Sequence, residues 1–259
     1  MYDYALVELS FHLKAQGFAD LTIARKLGVS VRTVRHWRYG TRQRLPPAQR
    51  SYGYHNRACP RCNPDKLTLN TQAYSYLLGL YLGDGHIVSK YKQHTLSISC
   101  SDCWPGLIDA AQDAMAAVMP DVCTGRVQRK GCQDVKSYSS HWKCLFPQHG
   151  PGKKHERAII LEPWQREIVD EYPQEFVRGL IHSDGCRTMN WTSKIIGGEL
   201  KRYDYPRYHF TNESTHIRDL YTETLTKLGI EWRYNKRNCI SVAKRASVAA
   251  LDEFVGPKY

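Results

Sequence analysis

No run of 18 apolar residues occurs in the sequence, so no segment is expected to span a membrane. The chain does not open with a basic segment followed by an apolar stretch, and no secretory leader is expected. Its nine cysteines are odd in number, and four of them sit as two Cys-x-x-Cys pairs. That pattern argues against a disulfide framework and for a reducing, cytoplasmic setting. The chain is also short of acid. It has 25 Asp and Glu against 37 Lys and Arg, a formal charge of +12. Such a balance suits a polyanionic partner, most simply nucleic acid.

The charge is unevenly spread. Residues 1–66 hold 12 Lys and Arg but only four acids, Asp3, Glu8, Asp20 and Asp65. Within this quarter, Ile23, Ala24 and Leu27 form an apolar stripe at helical spacing. Gly28 breaks that helix, and Ser30 is a good N-cap for the next. Val31, Val34 and Trp37 give the second helix a buried face, while Leu6, Leu9 and Leu13 suggest a helix ahead of both. The pattern resembles the helix-turn-helix of DNA-binding proteins. The second helix would then read DNA, with Arg32, Thr33, Arg35, His36 and Arg38 off its apolar stripe.

From residue 41 to 67 prolines, glycines and arginines, Arg42 and Arg44 among them, predict a basic linker along the DNA backbone. Cys59-Pro60-Arg61-Cys62 lies inside it and offers two thiolates at zinc-knuckle spacing. A structural Zn²⁺ needs four ligands. Cys100-Ser101-Asp102-Cys103 could supply the other two if the pairs meet in space, and His55 is a further candidate. Free thiols are the alternative.

Beyond the linker the chain nearly repeats itself. Leu77-Leu78-Gly79-Leu80-Tyr81-Leu82-Gly83-Asp84-Gly85 is echoed by Val177-Arg178-Gly179-Leu180-Ile181-His182-Ser183-Asp184-Gly185, 100 positions later. Each copy reads as a helix, over 71–84 and 173–184. Strands are expected around 95–99, 123–130 and 135–145 in the first half, and at 205–210, 230–234 and 239–242 in the second. Further helices are expected over 104–118, 215–228 and 246–254. The order is helix, two strands, helix, two strands, helix, twice over.

These motifs and this order resemble the monomeric, two-motif LAGLIDADG homing endonucleases. The first motif matches the family pattern closely. The second departs from it at Arg178, His182 and Ser183. The resemblance implies an α+β fold, a pseudo-twofold αββαββα tandem repeat with a β-saddle, here behind a small all-α helix-turn-helix domain. The expected domains are 1–40, 41–67, 68–160 and 161–259.

Small residues four apart, Gly79 and Gly83 or Gly179 and Ser183, would let the two helices meet closely. Asp84 and Asp184 would then lie together at helix C-termini, where the helix dipole is also negative. A divalent cation such as Mg²⁺ would relieve that repulsion and could activate water at a phosphodiester. The resemblance implies a site-specific double-strand cut in DNA by a monomer. It also points to Lys244, after the last strand, and its first-half counterpart Lys143 as lysines near the reacting water. Lys153 and Lys154, in a basic connection between halves, and Arg207, Tyr208 and Arg233, on the strands, are candidate DNA contacts. The alternatives are a non-catalytic DNA-binding regulator with a degenerate LAGLIDADG fold, or an RNA maturase.

Overall fold

The computed structural model describes residues 3–39, 59–90 and 93–258. The chain divides into two units, Met1–Asn56 and Arg57–Tyr259.

Among its described residues the first unit has three helices, α1 (Tyr4–Ala15), α2 (Asp20–Leu27) and α3 (Val31–Tyr39). Gly28 takes φ +63°, a left-handed conformation that L side chains rarely adopt, and this ends α2. Ser30 then opens α3: its Oγ accepts from Thr33 N at 3.0 Å. Ile23, Ala24 and Val34 form a small core, with Leu13, Phe18 and Leu27 packed around it.

The second unit repeats one plan. In its first half α4 (Thr71–Leu82) leads into β1 (Gly85–Lys90) and β2 (Gln93–Ser101), then α5 (Pro105–Val118), β3 (Thr124–Arg129), β4 (Cys132–Ser139) and a short α6 (Trp142–Leu145). A connecting helix α7 (Pro163–Glu171) precedes the second half. There α8 (Pro173–Asp184) leads into β5 (Gly185–Ile196), β6 (Glu199–Thr211), α9 (Thr215–Lys227), β7 (Arg233–Lys236), β8 (Cys239–Val242) and α10 (Arg245–Val255). The sheets are antiparallel, with matching orders β1-β2-β4-β3 and β5-β6-β8-β7. The fold is α+β, a tandem αββαββα repeat.

The helix expected to end at Asp84 ends at Leu82, capped by Gly83. The strand expected over 135–145 stops at Ser139, because Trp142 is buried against the sheet and starts α6. Strand β1 and helix α7 were not anticipated, and neither was strand β5. Most of its residues are exposed on both faces, so it lacks the alternation that marks a half-buried strand.

Helices α4 and α8 form the centre. Every residue from Tyr74 to Leu82 is buried, and burying each large side chain contributes about 1.5–3 kcal/mol. A Cβ on Gly79 would lie 2.5 Å from Phe176 O and 2.8 Å from Leu180 N. A Cβ on Gly179 would lie 2.2 Å from Tyr76 O and 3.0 Å from Leu80 N. Adding 100 to each number maps one set of contacts onto the other, as a self-complementary twofold contact requires. Among the described residues no helix is long and apolar enough to cross a membrane.

Candidate functional site

The reciprocal helix contact carries Asp84 and Asp184 to the same end of the pair. Each Asp is followed by a glycine that the fold needs. A Cβ on Gly85 would sit 2.4 Å from Tyr81 Cα, and one on Gly185 2.7 Å from Ile181 Cα, so each strand folds back hard against the helix it leaves. The ends of the two helices are also close. A Cβ on Gly83 would lie 3.2 Å from Asp184 Oδ2.

Asp84 keeps an open side to solvent and Asp184 is half-buried. The surrounding protein still desolvates the Asp84 carboxyl and pushes its pKa up to about 6; the Asp184 carboxylate adds to that push. Asp184 is also raised by desolvation, and the Asn212 side chain pulls it back. Asn212 Nδ2 donates to Asp184 Oδ2 at 2.5 Å and so fixes that carboxylate's orientation.

Two lysines close the site. Lys154 Nζ donates to Tyr81 O, Leu82 O and Gly83 O at 2.6, 2.9 and 2.5 Å, which satisfies the orphan carbonyls at the end of α4. Burial lowers its pKa to about 8, against the pull of Asp184 and Asp84. Lys258 Nζ donates to Gly185 O at 2.6 Å, just past the end of α8. Its pKa is lowered by burial and raised by the same two carboxylates. Lys154 is expected to contact phosphate from the basic connection between the halves; the structure turns it inward onto the end of α4, where both aspartates act on it. Lys258 was missed. The signal available was position: each lysine comes near the end of its half.

The departures in the second motif are packing solutions. His182 is buried, and its Nε2 is 2.9 Å from Val255 O. A carbonyl only accepts, so Nε2 carries the proton. Nδ1 therefore accepts from Tyr76 Oη at 2.9 Å. Burial holds this imidazole neutral, with a pKa of about 4. Ser183 Oγ donates to Leu180 O at 3.0 Å, and its small side chain faces Gly83. Arg178 stacks 4.0 Å over the Tyr76 ring and pairs with Glu175 at 2.6 Å.

Other expected residues are placed differently. Lys143 is exposed on α6, where its charge acts on His94 and His149. Lys244 is exposed, caps α10 and pairs with Glu231. The structure does not bring either lysine to the aspartates; the cations acting there are Lys154 and Lys258. Tyr208 is no surface contact. Strand alternation turns it into the core, where its Oη donates to Asp252 Oδ1 at 2.7 Å. Arg207, on the opposite face, is buried; Nε donates to Ser241 Oγ at 2.6 Å and Nη2 has no partner.

The strand pairing puts Lys194, Lys201, Tyr203, Tyr205, Arg207 and Arg233 on the face of the second sheet turned away from the helices. Lys153 is exposed and lies 3.7 Å from Glu156. In the first unit Arg32, Arg35 and His36 are exposed and Thr33 half-exposed. Arg42, Arg44, His55 and the Arg38 side chain lie outside the described residues.

The cysteine pairing is corrected. Cys100 is buried on β2, where burial pushes its thiol up to about 12, and Cys103 is exposed beyond the strand. Cys59 and Cys62 instead meet His141 and Cys144 from α6 and its N-cap.

No family model matches the chain, and no curated protein matches it. Solved structures do. The homing endonuclease I-DmoI in complex with DNA and Mn is 13% identical, over 73% of this chain and 99% of that one, with a TM-score of 0.46. The N-terminal LAGLIDADG domain of DUF199/WhiA is 12% identical, over 73% and 83%, at 0.44. The LAGLIDADG meganuclease I-AabMI bound to uncleaved DNA is 13% identical, over 70% and 82%, at 0.42. The likeness to each is one of fold.

Proposed function

We propose that this chain is a site-specific double-strand DNA endonuclease of the LAGLIDADG homing type. The observation that carries the reading is the reciprocal packing of α4 and α8, which brings one carboxylate from each half to one place. The donor set suits a hard divalent cation such as Mg²⁺: carboxylate oxygens, one with an open side, whose desolvation and mutual repulsion raise the pKa of Asp84 to about 6 and would be relieved by a cation. When bound, the ion would activate water and stabilise charge on the phosphate.

The chain's own residues supply the rest. Asn212 orients Asp184. Lys154 and Lys258 hold the helix ends and set positive charge where phosphate charge develops. Lys194, Lys201, Tyr203, Tyr205 and Arg233, which share one face of the second sheet, would contact the DNA, whereas Arg207 on that face is buried and bonded to Ser241. Arg32, Thr33, Arg35, His36 and Arg38 of the three-helix unit would act as a helix-turn-helix and extend the footprint. Both carboxylates belong to one chain, so a monomer suffices.

A second reading has its own observation. Lys154 and Lys258 already offset the charge of the two aspartates without a metal, which a non-catalytic DNA-binding regulator would require. One experiment separates the readings. DNA is selected from a random library by binding and then incubated with Mg²⁺. The endonuclease reading expects double-strand cleavage at a fixed position, lost in Asp84→Asn and Asp184→Asn while binding persists. Bound DNA that stays intact favours the regulator.

A further inference from the structure

We propose that Cys59, Cys62, His141 and Cys144 hold one structural zinc ion that staples the start of the second unit to its first half. The proposal does not depend on the DNA reading. One ligand atom from each residue lies within 4.8 Å of all the others. A tetrahedral zinc with bonds of about 2.3 Å to sulfur and about 2.0 Å to nitrogen places its ligand atoms roughly 3.5–3.8 Å apart. Cys144 Sγ and His141 Nδ1 are already 3.7 Å apart. Small rotations close the rest.

The local backbone has the form such a site needs. Cys59–Cys62 is a turn: Asn63 N donates to Cys59 O at 2.7 Å, and Cys62 N donates to Cys59 Sγ at 3.4 Å. An amide aimed at sulfur favours the thiolate that zinc requires. His141 and Cys144 repeat the same i, i+3 spacing at the start of α6. Three thiols and an imidazole form a closed set of four, which marks a structural rather than a catalytic ion. A disulfide would use only two of the four.

The site belongs to the first half alone. In the second half β8 runs almost directly into α10, with no short helix to carry a His-x-x-Cys pair. Zinc here would tie residues 59–62, the first described residues of the second unit, to the corner between β4 and α6.

The test uses the full chain, purified under reducing conditions, with bound metal measured directly. One zinc per chain is expected. Cys62→Ala and Cys144→Ala should lower zinc content at least about tenfold, whereas Cys103→Ala and Cys123→Ala should leave it unchanged. Cobalt substitution should give the visible absorption of a tetrahedral thiolate site. If the alanine variants fail to fold, His141→Cys supplies the second arm, because it should keep zinc and shift the cobalt spectrum toward four sulfurs. A metal-free, folded wild type overturns the proposal. So does a Cys59–Cys62 disulfide in that protein, zinc that survives Cys144→Ala, or a cobalt spectrum that His141→Cys leaves unmoved.

Discussion

The two halves of the second unit place Asp84 and Asp184 by the same contacts, yet they surround them with different chemistry. In the first half α4 ends two residues early, with Gly83 as its cap, and Lys154 ties up three carbonyls. In the second half α8 runs through Asp184, Ser183 takes the place of the glycine, and Lys258 reaches one carbonyl. Asp184 has an oriented amide beside it in Asn212. The hairpins differ as well: β1 has 6 residues and β5 has 12. What the halves must share is the backbone contact; the polar groups around it have diverged. The twofold relation is therefore a constraint on packing more than on chemistry.

The largest expected effect tests what is shared. Gly79→Ala and Gly179→Ala should each cost about 3 kcal/mol or more, because the new methyl meets backbone that cannot move aside. Thermal or urea unfolding should show similar losses for both. A well-tolerated alanine at either position would break the symmetry of the contact.

The lysines test what differs. Lys154→Met strips a charged donor from three carbonyls and should cost about 2–3 kcal/mol, while Lys258→Met should cost about 1 kcal/mol. Equal losses would mean that the number of capped carbonyls does not set the cost.

His182 gives a pH test confined to the second half, since Leu82 occupies the matching place in the first. Its folded pKa of about 4 lies below the ordinary 6.5. The unfolded chain therefore binds the extra proton first. Stability from this group is complete above about pH 6.5 and is lost as pH falls toward 4, by roughly 3 kcal/mol at most. His182→Leu should flatten that part of the profile of melting temperature against pH.

Asp84 runs the other way. Its raised pKa means that stability from this group is present below about pH 4 and declines as pH rises through about 6. Mg²⁺ should relieve that decline by a small rise in melting temperature at pH 7–8. Asp84→Asn should be more stable than wild type there and indifferent to Mg²⁺. Protonation of Asp84 competes with Mg²⁺, so cleavage should fall on the acid side and higher Mg²⁺ should move that limb to lower pH.

Much of this was legible in the sequence, for physical reasons. Glycines at 79 and 179 inside apolar helices mark a close approach, and a repeated Asp-Gly marks two equivalent helix ends. Strand β5 was not legible, because a strand exposed on both faces has no buried face to impose alternation. Lys258 was hidden because nothing in spacing says that a lysine near the end of the chain folds back onto Gly185. The cysteine partners were misread for a related reason: two similar Cys-x-x-Cys pairs look matched, yet α6 brings His141 and Cys144 to the first pair instead. Tyr208 looked like a contact until strand parity turned it inward.

The most direct test of the central claim is Mg²⁺-dependent cleavage of DNA that the protein itself has selected from a random library. The account predicts a double-strand break at one fixed position, present in wild type and reduced at least about 10³-fold in both Asp84→Asn and Asp184→Asn, which still bind. Selected DNA that remains whole in Mg²⁺, or a break that survives either substitution, would contradict it.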